Sequence, residues 1–215
     1  MKKVFLKTGA TLVAASIIFI STAASALDIK EVIKGVQSKY SGISTVQASF
    51  KQDTYYKELK QRDSSTGSVS LKKPGKMKFV YKDPIQDEIL SDGKKFIYYQ
   101  PDIAQAVESP LTEGPPAVAI GFLMGEGDFE KDFNASDLKK TESGYAFTLA
   151  PKEKDRVIKS IRVETSDEFL VFKVVVDDAY GGETTMTLTN IRVNEDIKDS
   201  FFKFKTPKGV KIIKP

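Results

Sequence analysis

The chain carries neither histidine nor cysteine, and that removes much of the chemistry open to a protein of its size. Histidine-activated serine nucleophiles, cysteine nucleophiles and nitrogen- or sulfur-ligated metal sites all need side chains that are missing. Carboxylates, lysines, tyrosines and hydroxyls remain. Asp87 or Glu88 with Glu126 or Asp128 could act as a two-carboxylate pair across a glycosidic bond. With 29 acidic residues, however, such pairs arise by chance. Asp177-Asp178 lacks the further oxygen ligands of a calcium loop, and no G-x-x-x-x-G-K-S/T phosphate loop is present. The residues point away from an enzyme, and neither a metal nor another cofactor is expected.

The spacing that does suggest a task is apolar. Met77, Phe79 and Tyr81 recur every second residue, so a strand would present them together, with Lys76, Lys78, Val80 and Lys82 on its other face. The same period puts Phe50, Leu71, Phe96, Tyr98, Phe147 and Leu149 on strand faces with apolar neighbours two residues away. A stripe of this kind is either a dry core or the lining of a cavity, and periodicity does not distinguish the two.

The elements that must position these residues begin after a leader. Lys2, Lys3 and Lys7 precede an apolar run from Ala10 to Ile20, and Ala24-Ser25-Ala26 supplies an A-x-A cleavage pattern. Residues 1–26 therefore read as a secretory signal peptide cut before Leu27, leaving residues 27–215 as one domain of exported protein. With the leader lysines removed, the 33 basic and 29 acidic residues of the full chain come close to balance. A general nucleic-acid surface is not supported. Lys72-Lys73 and Lys139-Lys140 read as solvated faces. Without cysteine, stability must come from burial and backbone pairing, and no lipid-bearing N-terminal cysteine is available.

Asp28 can cap a helix in which Ile29, Val32, Ile33, Val36 and Tyr40 recur at helical spacing, and Ser41-Gly42 ends it. From Thr45 the period shifts to two. Pro74-Gly75, Asp83-Pro84, Ser91-Asp92-Gly93-Lys94, Ser166-Asp167 and Gly181-Gly182 separate successive strands, with Phe169–Val176 read as one of them. Between Gly114 and Gly125 the alternation stops and an all-apolar stretch, Ala117 to Met124, reads as a short helix. A second short helix is expected around 128–133, and one helical turn within 196–202 before a last strand through Val210 and Ile212. The sum is nine to eleven strands and two or three helices. That is an α+β, mostly β chain, a sheet wide enough to curl into an incomplete, half-open antiparallel barrel covered by helices on one side.

Five fragments recur in a distinctive order: Gln47-Ala48-Ser49-Phe50-Lys51-Gln52; Gly67 followed by Leu71-Lys72-Lys73-Pro74-Gly75-Lys76-Met77; Ser91-Asp92-Gly93-Lys94; Tyr99-Gln100-Pro101; and Pro207-Lys208-Gly209-Val210. Together they resemble the outer-membrane lipoprotein carrier family, LolA, over essentially the whole mature chain. The resemblance implies a periplasmic chaperone whose apolar cavity takes the acyl chains of lipoproteins, acting as a monomer. It would receive cargo from an inner-membrane LolCDE-type ABC transporter and deliver it to a LolB-type outer-membrane receptor. On that likeness Phe50, Leu71, Met77, Phe79, Tyr81, Phe96, Tyr98, Phe147 and Leu149 are expected to line the cavity, and Val118, Ile120, Phe122, Leu123 and Met124 to form a helical lid. Where the family has an arginine before the proline, as a latch on the lid, this chain has Lys73. Lysine is a flexible point charge in place of a planar five-donor fork. A binding or sensing module for a glycolipid or other amphiphile, on the same fold, is the alternative.

Overall fold

The computed structural model describes residues 27–110, 129–153 and 157–214. The described residues open with helix α1 (Ile29–Ser41), started by a reciprocal capping box: Asp28 accepts from the Glu31 amide and Glu31 accepts from the Asp28 amide, both at 2.9 Å. Its buried stripe is Val32, Ile33, Val36 and Tyr40, the spacing the sequence dictates.

Strands follow: β1 (Thr45–Tyr56), β2 (Gln61–Lys72), β3 (Lys76–Asp83), β4 (Glu88–Asp92), β5 (Lys95–Gln100) and β6 (Gln105–Pro110), with a 3-10 turn at Pro101–Ile103. A four-residue helix α2 (Phe129–Asp132) leads into β7 (Phe133–Lys140), β8 (Gly144–Pro151), β9 (Ile158–Ser166), β10 (Val171–Asp178) and β11 (Gly182–Val193). A 3-10 turn at Asp199–Phe202 precedes β12 (Lys211–Ile213).

All belong to one sheet in the order β12-β6-β5-β4-β3-β2-β1-β11-β10-β9-β8-β7. Every pairing is antiparallel except β6 with β12. Two strand edges stay apart, so the sheet is open and curved rather than a closed barrel. One apolar cluster joins α1 to inward residues as distant in the sheet as Phe96 on β5 and Phe147 on β8. The helix thus packs into the apolar cluster on the concave face of a single domain.

The strand count exceeds the expected nine to eleven because β6 and β7 carry weak alternation. On β6 only Ala106 is buried, and β7 changes register between Ser136 and Lys139, where Asp137 has a φ of 56°. Phe169, expected in a strand, sits instead in the β9–β10 turn with φ 63°. Its ring fills the space a side chain at Gly35 of α1 would need, 2.7 Å from an added Cβ, so the glycine lets helix and hairpin meet.

Not all helical structure lies on one side. Leu90, Ile97 and Ala106 point to the outer face and are covered by Phe204 and Val210 of the C-terminal segment. The 3-10 turn of that segment is held by Asp199, paired with Lys72 at 2.9 Å and Lys76 at 3.4 Å. Lys72 also donates to the Ile197 carbonyl at 2.5 Å, so it is an anchor and not only a solvated charge.

Candidate binding cleft

The inner face of the sheet is built in cross-strand rows. Val46, Leu71 and Met77 lie in one row, and Ala48, Val69, Phe79, Ile89 and Tyr98 in the next. Leu188, Phe50, Gly67 and Tyr81 follow, and Met186, Gln52 and Ser65 come after them. Moving along the rows, side chains change from aliphatic to aromatic to polar.

The nine expected lining residues divide accordingly. Phe50, Leu71, Met77, Phe79, Phe96, Phe147 and Leu149 are buried in the cluster shared with α1. Tyr81 and Tyr98 are part-exposed and border an open cleft of about 600 Å³, within the size range of small-ligand sites. Gln52, Thr54, Ser65, Ile85, Asp87 and Ile89 complete much of its wall.

Its polar groups are linked. The Tyr98 hydroxyl donates to Asp87 Oδ2 at 2.5 Å and accepts from Gln100 Nε2 at 3.3 Å. The Tyr81 hydroxyl donates to Gln52 Oε1 at 3.1 Å. Burial pushes the Tyr98 phenol up to about 12, and the hydrogen bond to Asp87 adds to this. Burial and then the Asp87 charge raise Tyr81 as well. Both phenols therefore stay protonated donors at neutral pH.

The cleft lies at the rim of the sheet that carries the β1–β2 and β3–β4 connections, and strand direction puts the β5–β6 and β10–β11 connections and Val157, just before β9, on the same rim. Tyr56, Leu59, Ile85, Ile103, Val157 and Tyr180 are exposed on that rim. Apolar side chains gathered at loop tips are a feature of interaction surfaces.

Lys73 stands at the opposite end, on the β2–β3 turn. Its ammonium donates to the Tyr40 carbonyl in the last turn of α1 at 2.6 Å, and its amide to the Ser44 carbonyl at 2.9 Å. It ties the turn to the helix. Val118, Ile120, Phe122, Leu123 and Met124, together with Glu126 and Asp128 of the two-acid alternative, lie outside the described residues. Glu88 is paired with Lys78 at 3.0 Å.

Among the described residues, no group of three or more acids could hold a metal ion, and no helix is long and apolar enough to cross a membrane. Asp178 serves its turn, accepting from the Tyr180 and Gly182 amides at 2.8 Å. Asp87, Gln52 and Gln100 were not singled out as partners of the tyrosines by alternation. The usable signal was the Ser91–Lys94 turn, which brings β4 back beside β5 and so Asp87 near Tyr98.

An open curved sheet with an apolar concave face, a helix packed on it and a part-polar cleft at one rim defines a half-open antiparallel barrel. Residues 41–205 match the family described as outer membrane lipoprotein carrier protein LolA, and the chain belongs to that family. The outer-membrane lipoprotein carrier protein of Pseudomonas fluorescens (strain Pf0-1) is 32% identical over 175 residues, covering 79% of this chain and 82% of that protein. That of Bordetella avium (strain 197N) is 27% identical over 172 residues, covering 80% and 82%. An uncharacterized conserved protein from Thermus thermophilus shares the fold, with a TM-score of 0.56 at 11% identity, over 86% of this chain and 98% of that one. The family consists of carriers, not enzymes.

Proposed function

We propose that the chain is a periplasmic chaperone for lipoproteins, exported by a leader at residues 1–26 that is removed after Ala26. It takes the acyl chains of its cargo against the concave face of the sheet. It accepts the cargo from a LolCDE-type ABC transporter and releases it to a LolB-type receptor. The observation that carries this reading is the change within the two aromatic rows of the concave face, from the buried Phe79 and Phe50 to the part-exposed Tyr98 and Tyr81 at an open cleft.

A carrier is needed because each methylene withdrawn from water is worth about 0.8 kcal/mol, so two chains of roughly fifteen methylenes disfavour free diffusion by tens of kcal/mol. Release needs a site that shields without gripping. Aromatic and aliphatic contacts suit that, because they are non-directional and leave the chains free to move to a better acceptor. The exposed apolar tips at the cleft rim are where an acceptor could meet the chains as they leave.

In this reading Val118, Ile120, Phe122, Leu123 and Met124 form the cover, which moves when chains enter. Phe50, Leu71, Met77, Phe79, Phe96, Phe147 and Leu149 become the cavity wall as it does. Crosslinking Ile120 to β3 near Phe79 is expected to abolish lipid uptake.

The deciding experiment is native mass spectrometry of the protein purified from the periplasm. Acylated polypeptide bound one to one supports the carrier. Free glycolipid or other amphiphile in its place would move the assignment to a binding or sensing module.

A further inference from the structure

Strand β7 carries a sequence pattern that has no part in acyl-chain binding. Asn134-Ala135-Ser136 is an N-x-S/T triplet without proline, the acceptor pattern for N-linked glycosylation of exported chains. The chain holds three asparagines, and the other two, in Asn190-Ile191-Arg192 and Asn194-Glu195-Asp196, lack a hydroxyl two residues on. Asp132 stands two residues before Asn134, so an extended acceptor presents acid, carboxamide and hydroxyl on one side. Triplets of this kind also arise by chance, and the fold decides whether one can be used.

Here the fold turns the three side chains outward. Phe133, Ala135 and Leu138 pack against the core cluster, whereas Asp132, Asn134 and Ser136 are exposed. Ala135 lies directly opposite the buried Leu149 on the concave side, so its neighbour Asn134 points away from the surface proposed for cargo. β7 is the last strand of the sheet, bonded to β8 on one side and with no described strand on the other. Its ladder to β8 shifts after Ser136, where Asp137 takes a φ of 56°. An edge held by one interrupted ladder opens at lower cost than an inner strand held by two. The Ser136 hydroxyl donates to Asp137 Oδ2 at 2.9 Å, a surface contact that an enzyme can replace.

We propose that Asn134 is an N-glycosylation site, modified once the chain has been exported. The inference rests on the export reading and not on acyl-chain binding. Its co-reactant is an oligosaccharide borne on a polyprenyl pyrophosphate, used by a membrane-bound transferase. The Asn134 Nδ2 attacks the anomeric carbon, and a C–N bond forms as the C–O bond to the pyrophosphate breaks. The amide proton passes to a base of the transferase, and polyprenyl pyrophosphate leaves. Asp132 offers the enzyme a negative charge to hold, and Ser136 a hydroxyl beside the carboxamide. On the free edge of β7 the sugar also hinders pairing with a second sheet.

The test is mass spectrometry of the protein purified from its own cells, intact and after digestion. Trypsin, cutting after Lys131 and Lys139, frees residues 132–139 as one peptide. That peptide is expected to carry an oligosaccharide mass, placed on Asn134 by fragmentation. Asn134→Gln and Ser136→Ala should abolish it, Ser136→Thr should retain it, and Asp132→Ala should lower occupancy about tenfold, the effect of one charge-assisted hydrogen bond. An unmodified peptide from a chain that begins at Leu27 overturns the glycosylation site and leaves export standing. An unmodified chain that retains residues 1–26 removes the export reading and this inference with it. A sugar mass that survives Asn134→Gln overturns the assignment to Asn134, and full occupancy in Asp132→Ala overturns the part given to Asp132.

Discussion

The ring of Phe50 stands edge-on to the ring of Tyr81, with centroids 5.1 Å apart and planes at 75°, although β2 runs between the strands that carry them. They meet because the residue between them in the row is Gly67. A Cβ there would lie 2.6 Å from the Phe50 ring and 2.3 Å from the Val80 carbonyl oxygen. The glycine is thus the gap through which the buried floor reaches the cleft.

Gly67→Ala is accordingly expected to destabilise the fold by about 1–3 kcal/mol, the usual cost of overpacking where backbone must shift. Urea unfolding measures this directly. Because the displaced ring borders Tyr81, binding of a fluorescent acyl probe should weaken in the same variant. Stability equal to the unaltered protein would mean that β2 and β3 can part without cost.

Lys73 joins the β2–β3 turn to the end of α1 through its bond to the Tyr40 carbonyl. If that region also holds the cover closed, the strength of the tie sets how readily cargo leaves. Lys73→Arg, with a fork of fixed donors, is expected to slow release of a bound acyl probe several-fold, and Lys73→Leu to fail to hold the closed form. Stopped-flow transfer to acceptor vesicles reads both. Unchanged rates in both variants would remove Lys73 from the cycle.

How much of this was legible depends on the range of the interaction. Asp28 and the stripe Val32, Ile33, Val36 and Tyr40 declare α1 within a few residues, and the turn Ser91-Asp92-Gly93-Lys94 declares the β4–β5 hairpin. Alternation also put Met77, Phe79 and Tyr81 on one face. It could not say that the first two are buried while the third borders a cleft, because that follows from sheet curvature. The outer packing of Phe204 on Tyr99, with centroids 5.2 Å apart, joins residues distant in sequence and has no periodic signal. Asp87 looked like one acid among many until β5 brought Tyr98 beside it.

Two phenols should mark the alkaline limit of the fold. Burial pushes Tyr40 up to about 12 against the opposing hydrogen bond from the Val171 amide, and Tyr98 also reaches about 12. Both ionise more easily in the unfolded chain, where tyrosine titrates near 10. Their contribution to stability is therefore complete below about pH 10 and is lost as pH rises towards 12. In a tyrosinate absorbance titration these two, with Tyr81 also raised by burial, should ionise later than the rest of the eight tyrosines, together with the onset of unfolding. Tyr98→Phe should remove one late step. A titration in which all tyrosines ionise near 10 with the fold intact would contradict the burial of Tyr40 and the part-buried, Asp87-bonded setting of Tyr98.

The rim can be tested apart from the cavity. Leu59 and Tyr180 are each 72% exposed, on the β1–β2 and β10–β11 connections. These connections lie close together: a Cβ at Gly181 would be 3.8 Å from Lys57. Removing such exposed side chains changes stability by no more than about 0.5 kcal/mol. In the proposed cycle the partner that receives the chains approaches over this rim, so its docking loses apolar contact when the tips become polar. Leu59→Ser combined with Tyr180→Ser should therefore leave the unfolding midpoint and acyl-probe affinity unchanged, yet slow transfer of lipoprotein to its receptor several-fold. A double variant that hands over cargo at the normal rate would move the docking surface away from the mouth.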